Sequence, residues 1–151
     1  MGKIRKKDKP IKIDGKSLKH QGCSSEQHPW FSFKYMTTNS DHCIKALPDG
    51  REREITISKL YEKLEELSKK EWIYWTQQPK RIGLETISVG QLDFSPSPDA
   101  NITQDSTLYV FQFDTHKGSR QGRIIGFKSS PCATLHIIGY DFDFSAYNHG
   151  H

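Results

Sequence analysis

The stretch from Thr107 to Tyr147 constrains this 151-residue chain more than any other. It reads as three successive strands, Thr107–Asp114, Arg123–Lys128 and Thr134–Asp143. In the first, Tyr109, Phe111 and Phe113 alternate with Val110, Gln112 and Asp114, the period of two expected of a half-buried strand. In the second, Ile125 and Phe127 share a face with Arg123; in the third, Leu135 and Ile137 alternate with His136 and Ile138. The connectors carry turn residues: His116-Lys117-Gly118-Ser119 with Gly122, and Ser129-Ser130-Pro131. Such short connections predict an antiparallel meander, since a parallel return needs a crossover of a dozen or more residues.

Upstream, Trp30–Met36 alternates aromatic and polar residues and reads as a first strand, which Asp41–Leu47 could extend or partner. Pro48-Asp49-Gly50 is a turn. Glu54–Lys70 is the clearest helix, with Thr56 or Ser58 as N-cap and Ile57, Leu60, Tyr61, Leu64 and Leu67 on one apolar face. Lys69 and Lys70 suit its C-terminal end. A shorter helix, Glu71–Gln78, carries Trp72, Ile73 and Trp75 and stops at Pro79. Leu84–Leu92 is a weak strand or irregular extended segment, and Phe94–Ser106 is a loop. The expected fold is α+β: a small antiparallel sheet, made of the N-terminal strand and the C-terminal meander, covered by a two-helix hairpin. Phe111, Ile125 and Ile137 are expected to lie together beneath Leu60 and Leu64.

Charge divides the chain. The formal net charge is +4, yet residues 1–20 hold eight Lys and Arg against two Asp, a net of +6, which leaves −2 on the remainder. Residues 1–29 therefore read as a basic N-terminal arm and residues 30–151 as one domain. The arm's Lys3, Arg5, Lys6, Lys7, Lys9 and Lys12 form an electrostatic footprint for polyanions, or equally a solubilising tail. With 34% hydrophobic residues, and no run near the roughly 20 apolar residues of a membrane span, the chain points away from membranes. No apolar segment follows the basic N-terminus to make a signal peptide, and Cys23, Cys43 and Cys132 show no disulfide framework, so the expected compartment is the cytoplasm. Cys23, His28, His42 and Cys43 lack zinc-site spacing, and Asp141 with Asp143 has the spacing of a turn as much as of a metal pair; no metal or other cofactor is expected.

The C-terminal half resembles the RelE/ParE superfamily of bacterial toxins, and more closely relatives of that fold carried on plasmids, phages and genomic islands. The residues concerned are Phe111-Gln112-Phe113, then Gly122-Arg123-Ile124-Ile125-Gly126-Phe127, then Leu135-His136-Ile137-Ile138-Gly139-Tyr140-Asp141-Phe142-Asp143, and Tyr147 four residues on. The motif match spans residues 107–147 and the element order residues 30–147. The resemblance implies a toxin–antitoxin protein that targets RNA, a metal-independent endoribonuclease cleaving ribosome-bound mRNA by attack of a ribose 2′-OH on the adjacent phosphate, with an antitoxin as protein partner. It assigns Arg123 to the phosphorane and Tyr147 or His149 to proton transfer or positioning, while Arg120 and Lys128 would hold the nucleic acid. Such a site needs cationic side chains converging on the developing charge and a protonatable group beside them. An ideal pleat puts Arg123 and Lys128 on opposite faces unless a bulge at Gly126 intervenes. The body itself is not basic, so the alternative is a non-catalytic module on the same fold that binds nucleic acid or protein.

Overall fold

The computed structural model describes residues 27–129 and 134–148. The fold is α+β: a five-stranded mixed sheet and two helices. In chain order it comprises β1 (Trp30–Ser32), α1 (Arg51–Ser68), α2 (Trp72–Gln77), β2 (Leu84–Ser88), β3 (Thr107–Thr115), β4 (Gly118–Lys128) and β5 (Thr134–Asp141). The sheet order is β1-β5-β4-β3-β2. The C-terminal meander is present as expected, with β2 added antiparallel to its outer edge. Contrary to expectation the sheet is not all antiparallel: β1 runs parallel to β5, Trp30 opposite Thr134 and Ser32 opposite His136.

β1 is also shorter than its alternating sequence suggests. After Ser32 the chain turns, Met36 N donating to Phe33 O, so the pattern of two breaks before Tyr35. Residues 37–42 then touch β5 at single points, Thr37 N donating to Ile138 O and Tyr140 N to His42 O. Those bonds fall beside an irregularity in β5. Gly126 pairs with Ile137 but Ile125 pairs with Gly139, so Ile138 is the additional residue of a bulge. The bulge is at Gly126 in register but in β5 by insertion, and the pleat of β4 from Gly122 to Lys128 is unbroken, its irregularity lying earlier, at Arg120.

α1 begins three residues before the predicted start. Gly50, with φ 111°, is its N-cap and supplies no side chain, while Glu52 and Glu54 place negative charge in the first turn. Thr56 is not a cap. It is buried within the helix, and its hydroxyl accepts from His116 N and lies 2.9 Å from His116 Nδ1. Leu60 and Leu67 are buried and Leu64 partly so, but Ile57 and Tyr61 face solvent. α2 turns Trp72 and Trp75 inward on either side of Phe111, with Trp75 Nε1 donating to Leu67 O. The chain entering the body is fixed here too: Trp72 N donates to Gln27 O, and Pro29 is buried, so residues 27–29 belong to the body rather than to the arm.

Both faces of the sheet are covered. On the helix side Leu60, Leu67, Trp72 and Trp75 pack on Phe111, Phe113, Ile124, Leu135 and Ile137. On the other side Val89, Phe94, Ala146 and Tyr147, from irregular segments, cover Leu108, Val110, Ile125, Phe127 and Ile138. The predicted trio is thereby corrected: Phe111 faces Ile124 across the register, and Ile125 lies on the far side from Ile137 and the helices.

Phe111 is fully buried between the two tryptophans. Truncation of Phe111 to Ala should lower unfolding free energy by roughly 3–5 kcal/mol, because the cavity is walled by sheet and helices that cannot collapse into it. Reversible denaturant unfolding measures this, and a loss under about 1 kcal/mol would contradict the packing.

Candidate functional site around Arg123 and Tyr147

Alternation along β4 carries Arg123, Ile125 and Phe127 to the face opposite the helices. The same face receives Glu85 from β2, paired with Val110. Tyr147 arrives from the C-terminal segment, which a bridge between Leu92 and Tyr147 and the bond from Asp93 N to Ala146 O pin to residues 92–93. The structure thus brings together two of the three residues that the resemblance assigns to catalysis. The third, His149, lies outside the described residues.

The turn that delivers Tyr147 is organised by Asp141, a carboxylate with no exposure at the end of β5. Its Oδ1 accepts from the backbone N–H groups of Asp143 and Ser145 at 3.3 and 3.1 Å, and its Oδ2 from Ala146 at 3.3 Å. Asp143 accepts from both the backbone and the hydroxyl of Ser145, and the hydroxyl bond is the chief reason its carboxyl is held below the usual range. The Asp-x-Asp pair is therefore occupied as a turn. Among the described residues no group of three or more His, Cys, Asp or Glu side chains is placed to hold a metal ion.

Arg123 is only 7% exposed. Its Nη1 donates to Arg120 O at 2.6 Å and to Gly122 O at 3.0 Å, and its guanidinium carbon lies 5.0 Å from the Phe144 ring centroid. Among the described residues Nε has no hydrogen-bond partner. Tyr147 is 2% exposed, and its hydroxyl donates to Glu85 Oε2 at 3.1 Å and interacts with Arg123. Glu85 in turn pairs with Lys80 at 2.9 Å. Burial first, and the Glu85 charge second, push the Tyr147 phenol well above its ordinary range. A phenol so held is a hydrogen-bond donor, not a base, at neutral pH. The Arg123–Tyr147–Glu85 arrangement is chemically a closed hydrogen-bonded cluster, with Phe144 over the guanidinium.

The two cations expected to hold nucleic acid lie elsewhere. Lys128 is on the helix face, its Nζ 4.7 Å from the Trp72 ring centroid, and burial lowers its pKa. It and Arg123 are on opposite faces, as an unbroken pleat requires. Arg120 is exposed near the start of β4, with φ 57° and its N–H on Asp114 Oδ1. It lines a cleft of about 250 Å³ with Lys59, Lys63 and Arg81, where Glu62 and Glu66 pair with the two lysines. The six arm residues from Lys3 to Lys12 lie outside the described residues. Sequence reasoning missed Glu85 and Phe144. No motif marks Glu85, whose place depends on β2 pairing with β3, and Phe144 was hidden inside the short Asp143–Tyr147 interval.

Buried phenols give a direct check. Tyr140 is pushed up to about 12 by burial and Tyr147 is also raised. Both are neutral in the folded state, so their contribution to stability is complete below the unfolded value near pH 10 and is lost as pH rises from there toward 12. For Tyr140 the loss is of order 2–3 kcal/mol. In an alkaline titration followed by phenolate absorbance, two of the six tyrosines should ionise late or only with unfolding. Tyr147→Phe should remove one of these; six phenols titrating together near pH 10 would show that the cluster is open to water.

Comparison with protein-family models, with curated proteins and with solved structures finds no match to this chain.

Proposed function

We propose that this protein binds RNA, using a RelE/ParE-type toxin-like scaffold to hold its target rather than to cut it. The observation that carries this choice is the burial of Arg123 and Tyr147 together. A scissile phosphate must touch the cation that stabilises it, and here that guanidinium is enclosed by backbone carbonyls, Tyr147 and Phe144. Support for RNA as the target comes from the motif resemblance over residues 107–147 and from the +6 charge on residues 1–20. The cleft at Arg120 adds cations, though carboxylates line it as well.

One observation favours the cutting reading as second. Arg123 and Tyr147 do meet at one point, and the orphaned Nε is a donor that a phosphate oxygen could take if Phe144 swung aside. On that reading wild-type protein leaves 2′,3′-cyclic or 3′-phosphate ends on mRNA in translating ribosomes, and Arg123→Lys abolishes them while the fold survives. The binding reading expects intact RNA with the wild type. It also expects Arg123→Ala to lower thermal stability, because the buried Gly122 carbonyl loses a charged donor, at about 1–3 kcal/mol.

Deletion of residues 1–20 tests the electrostatic part. It should weaken binding to single-stranded RNA and flatten the salt dependence by roughly 0.7 in log K against log salt for each phosphate released. Equal affinity and slope for the full and shortened chains would remove the arm from the interface. A full-length chain that binds no RNA at low salt would overturn the proposal.

A further inference from the structure

The RNA-binding reading leaves open which surface meets the bases, and one end of the sheet has the chemistry for it. Trp30 is 71% exposed, on the edge strand β1, and Phe33, 51% exposed, follows three residues later. Phe31, between them, packs against the helix-side core, so Trp30 belongs with Ser32 on the opposite face. There Ser32 lies beside His136, and His136 beside Phe127. His136 stacks on Phe127 at 4.9 Å between centroids, and Tyr35 meets both rings at 5.1 and 5.6 Å. Lys34 Nζ lies over the Tyr35 ring at 5.1 Å. The arrangement is a half-covered aromatic floor with an ammonium over its Tyr35 ring, and the solvent-facing Trp30 indole lies on the same sheet face.

We infer that Trp30, on the same sheet face as the floor formed by Tyr35, His136 and Phe127, is a stacking platform for the bases of single-stranded RNA. The inference rests on the RNA-binding reading and deepens it. Every base presents a π-face, so an exposed indole engages a single strand with little regard to sequence, whereas the bases of a duplex are already stacked and cannot reach it. Charge selects a polyanion over an apolar protein partner. Lys34 sits on the floor, and the +6 segment at residues 1–20 is joined to Trp30 through Gln27, whose carbonyl is tied to Trp72 N. Phosphate-neutralising and base-stacking groups thus lie within one short span of chain. Burial and then Lys34 keep the His136 pKa below its ordinary value, so the floor is an uncharged ring surface at neutral pH and the nearby cation is Lys34.

The test uses the full chain with a mixed-sequence single-stranded oligoribonucleotide, its duplex and its deoxy counterpart. Trp72 and Trp75 are buried, so the quenchable emission is that of Trp30. Addition of the single strand should quench it, with the duplex binding at least tenfold more weakly. Trp30→Ala should weaken single-strand binding roughly tenfold or more while leaving the salt slope unchanged, because stacking releases no counterions. Trp30→Phe should restore most of the affinity, and matching melting temperatures would show that neither variant acts through folding. If the wild type binds the single strand and Trp30→Ala binds it within twofold as tightly, the platform is wrong and RNA binding stands. If the wild type binds no RNA, the underlying reading fails. Tighter binding of the deoxy strand would overturn RNA as the occupant.

Discussion

The buried Asp141 carboxylate holds the C-terminal turn in place, and the far side of the sheet depends on it. Three backbone N–H groups within six residues converge on its two oxygens. They fold residues 142–146 tightly enough to lay Ala146 and Tyr147 against Val110 and Ile125. Without that acceptor the buried Ala146 N–H would be left unpaired, at a cost of about 1–3 kcal/mol, and Asp143 and Ser145 would each lose a bond that fixes the turn. Tyr147 could then no longer be delivered to Glu85 and Arg123. A carboxylate at a strand end, which a sequence reader is inclined to assign to chemistry, here sets the geometry of a layer built mainly of loops and short 3-10 turns.

That layer explains why the sheet is so apolar. β4 is buried without interruption from Gly122 to Phe127, although only one of its faces meets helices. The other face is closed by segments at 89–102 and 142–147 that carry Val89, Phe94 and Tyr147. Arg123 is the one charged side chain of β4 within this covered zone, and it is accommodated because its own strand supplies carbonyls as acceptors. Burial of a guanidinium and a phenol in mutual contact is a structural solution as well as a chemical opportunity. Their fractional exposure, more than their identity, separates the two.

The meander was legible because its aromatic and aliphatic residues alternate without a break and its connectors are short. α1 was legible from its apolar spacing, although Ile57 and Tyr61 proved to face water. What stayed hidden was non-local. The pairing of β1 with β5 leaves no local mark, and parallel pairing was not expected of two strands at opposite ends of the chain. Register was hidden as well: Phe111 pairs with Ile124 and Ile137 with Gly126, past the β5 bulge, so Ile125 falls on the face opposite Phe111 and Ile137. Covering by a loop cannot be read from periodicity, since residues 94–106 have none. At the candidate site Arg123 and Tyr147 were legible as residues and even as neighbours, but their enclosure depended on Asp141, Phe144 and Glu85 acting across three segments.

The parallel pairing of the first strand with the last carries a consequence for synthesis. His42 and Tyr140, which meet at this seam, are 98 residues apart, and Trp30 lies opposite Thr134. A chain emerging from the ribosome has β1 long before the strand it must join, so β1 cannot dock until β5 has been made. The aromatic floor beside Trp30 is assembled from Tyr35 near one end and from Phe127 and His136 near the other. It therefore comes into being only once β5 has been made. A product terminated before β5 would carry the basic segment without the floor, so the fold itself makes translation through β5 a condition for presenting that surface.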